Sequence, residues 1–254
     1  LMECIRKNNL KKIKVVITMY MGGYPKNVIE FFKIKKKYKF FLIEDACHAF
    51  GSKYKYKNKL VHIGSCKHSD ISTFSLHPVK TFTTGEGGLV TTNSKLFNNR
   101  IKLLRSHGIQ RDKKLHWKYD IRQLGFNYRL SDINCALGIS QLKKINTFIK
   151  DRKNIYKIYK KEFEKYSEVV KVVNFNKLQS PSYHLMIVSI DFKNTQSTKD
   201  GLLKFLKKKK ISAQYHYIPI FKLSAYPKKN DYFESAMDYY KSTISLPIYY
   251  NLEK

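Results

Sequence analysis

The stretch "DISTFSLHPVKTFTTGEGGLVTTN", Asp70 to Asn93, decides the fold of this chain. It begins with a β-branched and apolar run that predicts a strand, and a second such run follows a Gly-Glu-Gly-Gly turn. Between the two strands, Pro78 keeps the segment from continuing as a helix, and Lys80 comes two residues later. A lone lysine is ordinarily a surface charge. Because 43 of the 254 residues are Lys, only this context of strand, proline and glycine-rich turn distinguishes Lys80.

The segments before this stretch alternate between strand and helix patterns. "IKVVITM" (Ile13 to Met19) and "FFLIEDA" (Phe40 to Ala46) are apolar runs that predict buried strands, and "NVIEFFKIKKKY" between them has helical spacing. The order strand, helix, strand predicts an α/β fold with a largely parallel sheet and helices on both faces.

Three different polar groups are expected at one edge of this sheet. Asp45 ends the strand "FFLIED", Ser75 ends "ISTFS", and Lys80 follows five residues later. In parallel sheets, ligands bind at the carboxyl ends of the strands. The sequence therefore predicts a site with a carboxylate, a hydroxyl and an amine, although Asp45 alone is equally consistent with a helix cap.

The rest of the chain predicts one more helix of the large domain, a bridge and a second, smaller domain. "SKLFNNRIKLLRSHG" predicts a helix capped by Ser94 and stopped at Gly108, and a long helical segment from Leu130 to Phe163 predicts a bridge between domains. Strands, a helix and a short strand at "SAQYHYI" follow, which is an α+β arrangement. We expect a large domain over residues 1–145, and a bridging helix with a small C-terminal domain over residues 146–254.

The net charge of +31 ordinarily suggests a nucleic-acid or membrane-surface partner. Only seven of the 50 basic residues are Arg, the residue that phosphate and base recognition favours, and the lysines are spread over the whole length. A coding bias of an A+T-rich genome explains this composition. No apolar run approaches the roughly 20 residues that cross a bilayer. We therefore expect neither a nucleic-acid nor a membrane partner.

The four cysteines indicate a reducing compartment and no metal. Their spacings are irregular and include no C-x-x-C pair, so free thiols in the cytoplasm are expected. Several Cys and His residues fall between Cys47 and His68, but they lack the paired spacing of a zinc site.

Most of the chain resembles the DegT/DnrJ/StrS group of sugar-nucleotide aminotransferases, which use pyridoxal phosphate and have the aspartate-aminotransferase fold (fold type I). The matching segments, in the family's order, are "FFLIEDACHAFGSKY", "GSCKHSDISTFSLHPVKTFTTGEGGLVTTN", "LLRSHG", "LGFNYRLSDINCALGISQL", "QYHYIPI" and "ISLPIY". The residues of these segments are most similar to the branch of the family that makes 4-amino-4,6-dideoxy sugars on UDP-N-acetylhexosamine in pseudaminic acid synthesis.

The resemblance assigns roles around the cofactor. It implies that Lys80 forms a Schiff base with the cofactor aldehyde and later moves a proton. It also implies that Asp45 pairs with the pyridine nitrogen, that His48 lies against the ring or its phenolic oxygen, and that Ser75 binds the phosphate.

The resemblance also assigns residues to a partner subunit and to the substrate. It implies that Asn127 of "GFNYR" reaches the cofactor phosphate of a neighbouring subunit, so that a homodimer shares its active sites. Taken alone, Asn127 is equally consistent with a turn residue. Arg129 in the same motif, together with His216 and Tyr217 of "QYHYIP", is expected on the sugar-nucleotide side.

The expected reaction transfers an amino group from an amino acid, L-glutamate by preference, to a 4-keto sugar nucleotide for surface or flagellar glycans. One alternative is a sugar dehydratase of the same fold, but dehydratases replace the Schiff-base lysine by His, whereas this chain has Lys80. The other alternative is an inactive fragment or a basic nucleic-acid-binding or regulatory protein. Relatives carry a further N-terminal segment with a phosphate-binding loop, and a last helix after "LPIYYNL". We therefore expect this chain to be truncated at the N-terminus and at the C-terminus.

Overall fold

The computed structural model of the chain describes residues 1–7, 13–226 and 233–252. Its helices are α1 (Met2–Lys7), α2 (Val28–Tyr38), α3 (Lys95–Arg105), α4 (Asp132–Leu142), α5 (Ile145–Phe163), α6 (Lys199–Lys208) and α7 (Glu234–Ser242). Its strands are β1 (Val15–Met19), β2 (Phe41–Asp45), β3 (Lys53–Tyr56), β4 (Lys59–His62), β5 (Ile71–Ser75), β6 (Gly88–Thr91), β7 (Ile109–Arg111), β8 (Tyr119–Ile121), β9 (Val170–Val172), β10 (Gln179–Ser180), β11 (Met186–Ile190) and β12 (Thr243–Leu246). These elements form two compact units, unit 1 (Leu1–Asn146 with Leu178–Pro181) and unit 2 (Thr147–Lys177 with Ser182–Lys254).

Unit 1 is built on a four-stranded sheet in the order β1-β2-β5-β6. The first three strands are parallel, as predicted, and β6 pairs antiparallel with β5. In this register Asp45 lies opposite Thr73, two residues before Ser75. Because side chains alternate between the two faces of a sheet, Asp45 and Ser75 point to one face, whereas Glu44 and Ser72 point to the other.

A hairpin in unit 1 was not anticipated from the sequence. Strands β3 and β4 are joined by Lys57 and Asn58, both with positive φ (46° and 62°), which is the backbone of a two-residue hairpin turn. Strand β10 adds to the free edge of β3. The hairpin buries Tyr54 and Val61 in an apolar cluster that also contains Phe74 of β5.

Helix α3 begins and ends as the sequence predicts. The Ser94 hydroxyl accepts a hydrogen bond from the Phe97 N–H at 3.3 Å, which caps the first turn. After the helix ends at Arg105, Gly108 adopts a φ of 73°, and its N–H donates to the Leu103 carbonyl at 2.9 Å. A Cβ at Gly108 would overlap the Gln123 carbonyl, so glycine is required at this stop.

Unit 2 packs α5 and α6 with an antiparallel sheet in the order β12-β11-β9. Its core includes Tyr156, Met186, Val188 and Ile244. The predicted strand at "SAQYHYI" is wrong, because only Gln214 forms an isolated bridge, to Ser245 on the edge strand β12.

A buried arginine ties three backbone segments of unit 2 together. Arg152 on α5 is 6% exposed, and its Nη1 donates to the carbonyls of Tyr183 (3.4 Å), His184 (3.3 Å) and Ile248 (2.6 Å). Burial lowers the pKa of Arg152 to about 10. These hydrogen bonds to carbonyl dipoles offset part of the cost of burying the charge.

Candidate active site

The carboxyl ends of β2 and β5 place two polar side chains on one face of the unit 1 sheet. The parallel pairing continues past Asp45, because the N–H of Ala46 donates to the Thr73 carbonyl at 2.9 Å. The Asp45 carboxylate accepts a hydrogen bond from the Cys47 N–H at 3.1 Å, which fixes its orientation at the strand end. Ser75 ends β5 on the same face and is half-buried.

Lys80 lies in a short loop that is closed at its base by Leu76. The Leu76 carbonyl accepts hydrogen bonds from the Thr84 N–H (3.1 Å) and the Thr83 hydroxyl (2.8 Å). The Leu76 N–H in turn donates to the Gly87 carbonyl at 2.9 Å. The Lys80 side chain is half-buried between these two fixed ends. The lysine is therefore held by a closed loop next to the end of β5.

The thiol of Cys47 is influenced by Asp45, by the backbone of Ser75 and by the charge of Lys80. Burial, together with hydrogen bonding to Asp45 and the negative charge of that carboxylate, raises the pKa of Cys47 to about 11. The positive charge of Lys80 and the backbone of Ser75 act on the same thiol in the opposite direction. The Cys47 thiol thus stays protonated, and the Asp45 carboxylate, the Ser75 backbone and the Lys80 charge all act on it.

His48 is buried and holds the loop that contains Gly22 and Gly23. It is 2% exposed, and its Nδ1 accepts a hydrogen bond from the Gly22 N–H at 3.3 Å. Gly22 has a φ of 67°, which favours glycine. The Ser52 hydroxyl donates to the carbonyl of Gly23 in the same loop at 2.7 Å. The contact of His48 with a cofactor stays a prediction.

Asn127 and Arg129 lie on an exposed segment of unit 1. This segment runs beside the end of α3, where Asn127 forms a bridge with Ser106. Its neighbours Phe126 and Tyr128 are 54% and 70% exposed, and their rings stack with centroids 4.8 Å apart. Both rings of this stacked pair are thus largely exposed.

His216 and Tyr217 belong to unit 2 rather than to unit 1. The Nδ1 of His216 lies 2.9 Å from the Ser245 hydroxyl on β12, which fixes the imidazole against the sheet. Tyr217 is 49% exposed. Their assignment to the sugar-nucleotide side stays a prediction.

The sequence reasoning missed a buried carboxylate on the opposite face of the sheet. Glu44 is 3% exposed and accepts hydrogen bonds from the Tyr20 hydroxyl (2.9 Å), the Ser72 hydroxyl and the Gly64 N–H (3.4 Å). Burial and the charge of Glu44 raise the pKa of Tyr20 well above its usual range, so Tyr20 stays a donor. This network joins the ends of β1, β2 and β5. The signal available in the sequence was the acid directly before Asp45.

Other kinds of site are not supported at this position. Within the residues that the structure describes, no three His, Cys, Asp or Glu side chains are arranged to hold a metal ion. In the same part of the chain, no helix is long and apolar enough to cross a membrane. A cavity of about 710 Å³ lies in unit 2, lined by Lys and by Asp and Glu side chains, but none of the predicted site residues lines it.

The chain matches known proteins over nearly its whole length. The DegT/DnrJ/EryC1/StrS aminotransferase family matches residues 3–254. The UDP-4-amino-4,6-dideoxy-N-acetyl-beta-L-altrosamine transaminase of Campylobacter jejuni subsp. jejuni serotype O:23/36 (strain 81-176) is 40% identical over 243 residues, which cover 94% of this chain and 61% of the relative. The chain thus spans about three fifths of the length of the curated relatives it matches.

Solved structures show the same fold. Helicobacter pylori PseC, an aminotransferase involved in the biosynthesis of pseudoaminic acid, has a TM-score of 0.84 and 33% identity, covering 94% of this chain and 62% of that one. Spr1654 from Streptococcus pneumoniae, in its PMP-form, has a TM-score of 0.87 at 24% identity, covering 99% and 68%, and supports the fold alone. The predicted α/β fold of the aspartate-aminotransferase type is confirmed. On these matches, the chain belongs to the DegT/DnrJ/EryC1/StrS aminotransferase family.

Proposed function

We propose that this protein uses pyridoxal phosphate to transfer an amino group from an amino acid, L-glutamate by preference, to the 4-keto group of a nucleotide-linked deoxysugar. The observation that carries the proposal is that Lys80 lies in a closed loop directly after Ser75, at the sheet edge where Asp45 ends the neighbouring parallel strand. The Campylobacter relative is named as a transaminase of a UDP-linked amino sugar, which supports this substrate class. The product would serve surface or flagellar glycan synthesis.

The residues at the site fit the chemical groups of pyridoxal phosphate. A primary amine matches its aldehyde, a carboxylate matches its ring nitrogen, and a hydroxyl matches its phosphate. Lys80, Asp45 and Ser75 supply these three groups at, or directly after, the carboxyl ends of β2 and β5. When bound, pyridoxal phosphate supplies the aldehyde that carries the amino group and a ring that withdraws electrons from the reacting carbon.

Each side chain then has a separate task. Lys80 would hold the cofactor through its aldehyde and would move the proton at the reacting carbon. Asp45, oriented by the Cys47 N–H, would keep the proton on the ring nitrogen. Ser75 would anchor the phosphate, and His48, which is buried, would lie against the ring or its phenolic oxygen.

We also place Asn127 at the cofactor phosphate of a partner subunit in a homodimer. The exposed Phe126 and Tyr128 beside it supply an apolar contact surface. Lys80→Ala and Asn127→Ala variants, each inactive alone, should restore activity when mixed, because one heterodimer site is then intact. No restoration in a mixture that forms dimers would contradict a shared site. Arg129, His216 and Tyr217 are proposed to contact the sugar nucleotide.

Two alternatives are less well supported. A sugar dehydratase of this family would have His in place of Lys80, and this chain has lysine. A nucleic-acid-binding protein would show arginine and aromatic clustering on one face, whereas the basic residues are mostly lysines spread over the length. None of the four cysteines, all of which the structure describes, is in a disulfide, which fits the reducing cytoplasm proposed as its location.

The test is covalent capture of the cofactor. Adding pyridoxal phosphate should produce an absorbance band near the boundary between the ultraviolet and the visible range. Borohydride reduction should then attach the cofactor irreversibly to Lys80. Lys80→Ala should abolish the band, whereas Lys95→Ala, at an exposed lysine on α3, should not. A band that persists in Lys80→Ala would overturn the proposal. A panel of 4-keto sugar nucleotides with L-glutamate then identifies the substrate.

A further inference from the structure

Asn134, in the first turn of α4, makes a hydrogen bond to the loop that carries Lys80. Its Nδ2 donates to the Thr84 carbonyl at 2.5 Å, across 50 residues of sequence. The other end of the same amide is fixed, because its Oδ1 accepts from the Ser131 hydroxyl, the cap of α4. Both halves of the Asn134 side chain are therefore used, and its donor is aimed at one carbonyl.

The loop and the helix also pack closely around this bond. Thr84 is 2% exposed. A Cβ at Gly138 on α4 would lie 2.7 Å from the Thr84 methyl group, and one at Gly87 would lie 3.0 Å from Leu130. Two glycines thus allow the loop and the helix to approach each other, and the amide of Asn134 satisfies a carbonyl at the centre of the contact.

The residue that Asn134 holds is also the one that closes the Lys80 loop. The Thr84 N–H donates to the Leu76 carbonyl, and its own carbonyl accepts from Asn134. Helix α4 is therefore connected through Thr84 to the base of the loop from which Lys80 extends. If Thr84 moves, the closure at Leu76 is weakened, and the loop that carries Lys80 is held less firmly next to the end of β5.

We infer that Asn134 is a positioning residue for Lys80, acting through the Thr84 carbonyl. The inference deepens the proposed function and rests on it for the role of Lys80. The requirement is for a hydrogen-bond donor of this length at position 134. Asparagine supplies one, whereas an aspartate of the same size presents an oxygen to the carbonyl oxygen.

The isosteric variant Asn134→Asp separates loop positioning from helix stability. A carboxylate in the first turn is favourable for α4, and it keeps the acceptor for Ser131, so the helix itself should not weaken. Asn134→Ala removes the donor without adding repulsion. We expect the loop to be held best in the natural protein, less well in Asn134→Ala and least in Asn134→Asp. Asn99→Asp, on an exposed position of α3, is the matched control.

Two readouts test this order. Hydrogen exchange of peptides covering residues 76–87, without cofactor, should be about tenfold faster in Asn134→Asp, because a buried acceptor has lost its donor. After pyridoxal phosphate and borohydride, the ratio of label on Lys80 to label on the other lysines should fall about tenfold. Asn99→Asp should change neither.

The outcomes distinguish this inference from the proposed function. Unchanged exchange and unchanged Lys80 selectivity in both Asn134 variants would overturn the inference while leaving the proposed function intact. Faster loop exchange without any selective labelling of Lys80 in the natural protein would count against the proposed function. Equal effects in Asn99→Asp and Asn134→Asp would also overturn the inference, because added charge alone would then explain the change.

Discussion

Replacing Asp70 by Ala should destabilise unit 1 through one hydrogen bond more than through one ion pair. The Asp70 carboxylate accepts from the Lys35 Nζ and from the Leu42 N–H, both at 2.7 Å. Leu42 is 2% exposed, so its N–H loses a charged acceptor in a buried position when the carboxylate is removed. Asp70 thereby joins α2, β2 and the start of β5.

The expected magnitude follows from these two contacts. A buried N–H that loses a charged acceptor costs about 2 kcal/mol. The ion pair, with side chains 21% and 20% exposed, contributes roughly 0.5–1 kcal/mol. Asp70→Ala should therefore lower the free energy of unfolding by about 3 kcal/mol. Asp70→Asn keeps an acceptor for Leu42 and should lose about 1 kcal/mol, as should Lys35→Met.

Urea unfolding followed by circular dichroism measures these losses, and hydrogen exchange at residues 41–45 localises them. Asp120→Ala is the matched control, because Asp120 pairs with Arg122 at 2.9 Å while both side chains are about two-thirds exposed, and it should cost less than about 0.5 kcal/mol. Equal losses in Asp70→Ala and Asp70→Asn would refute the reasoning, since the charge and not the hydrogen bond to Leu42 would then dominate.

Three further predictions concern individual side chains. Burial lowers the pKa of His68, so the stability that neutral His68 contributes is complete above about pH 6.5 and is lost as the pH falls. The urea midpoints at pH 7.5 and pH 5.5 should therefore differ less in His68→Phe than in the natural protein. An equal difference in both proteins would contradict the prediction. Arg152→Met should lower the free energy of unfolding by about 3 kcal/mol, because three carbonyls lose their donor. If urea unfolding shows no decrease, the cost of burying the charge outweighs the gain from its hydrogen bonds. Cys47 should react with iodoacetamide at pH 8 much more slowly than exposed Cys4, because the pKa of Cys47 is raised to about 11. Peptide mass spectrometry measures both rates, and equal rates would argue against a protonated, shielded thiol at Cys47.

The parallel strands could be predicted because the information is local, whereas the site at their carboxyl ends stays a prediction. Apolar runs ended by Asp45 and Ser75 identify buried strands and their carboxyl ends, and β2 and β5 form as expected. The cap at Ser94 likewise depends only on its own helix.

The features that sequence reasoning missed depend on distant partners. In the β3–β4 hairpin, lysines alternate with tyrosines, and only packing against Phe74 shows which side is buried. The strand predicted at "SAQYHYI" needed a partner along its whole length, but only Gln214 has one. The link from Asn134 to Thr84 spans 50 residues, so no local pattern indicates it.

The adjacent acids Glu44 and Asp45 link the register of β2 to the direction in which each carboxylate points. Glu44 finds its donors, Tyr20, Ser72 and Gly64, on one side of the sheet only, and Asp45 faces the other side. A shift of β2 by one residue would turn Glu44 towards the face that Asp45 now occupies and leave Asp45 among donors placed for a longer side chain. The register of the strand and the orientation of the proposed cofactor-binding carboxylate are therefore fixed together, so a chain that has folded stably has already oriented Asp45.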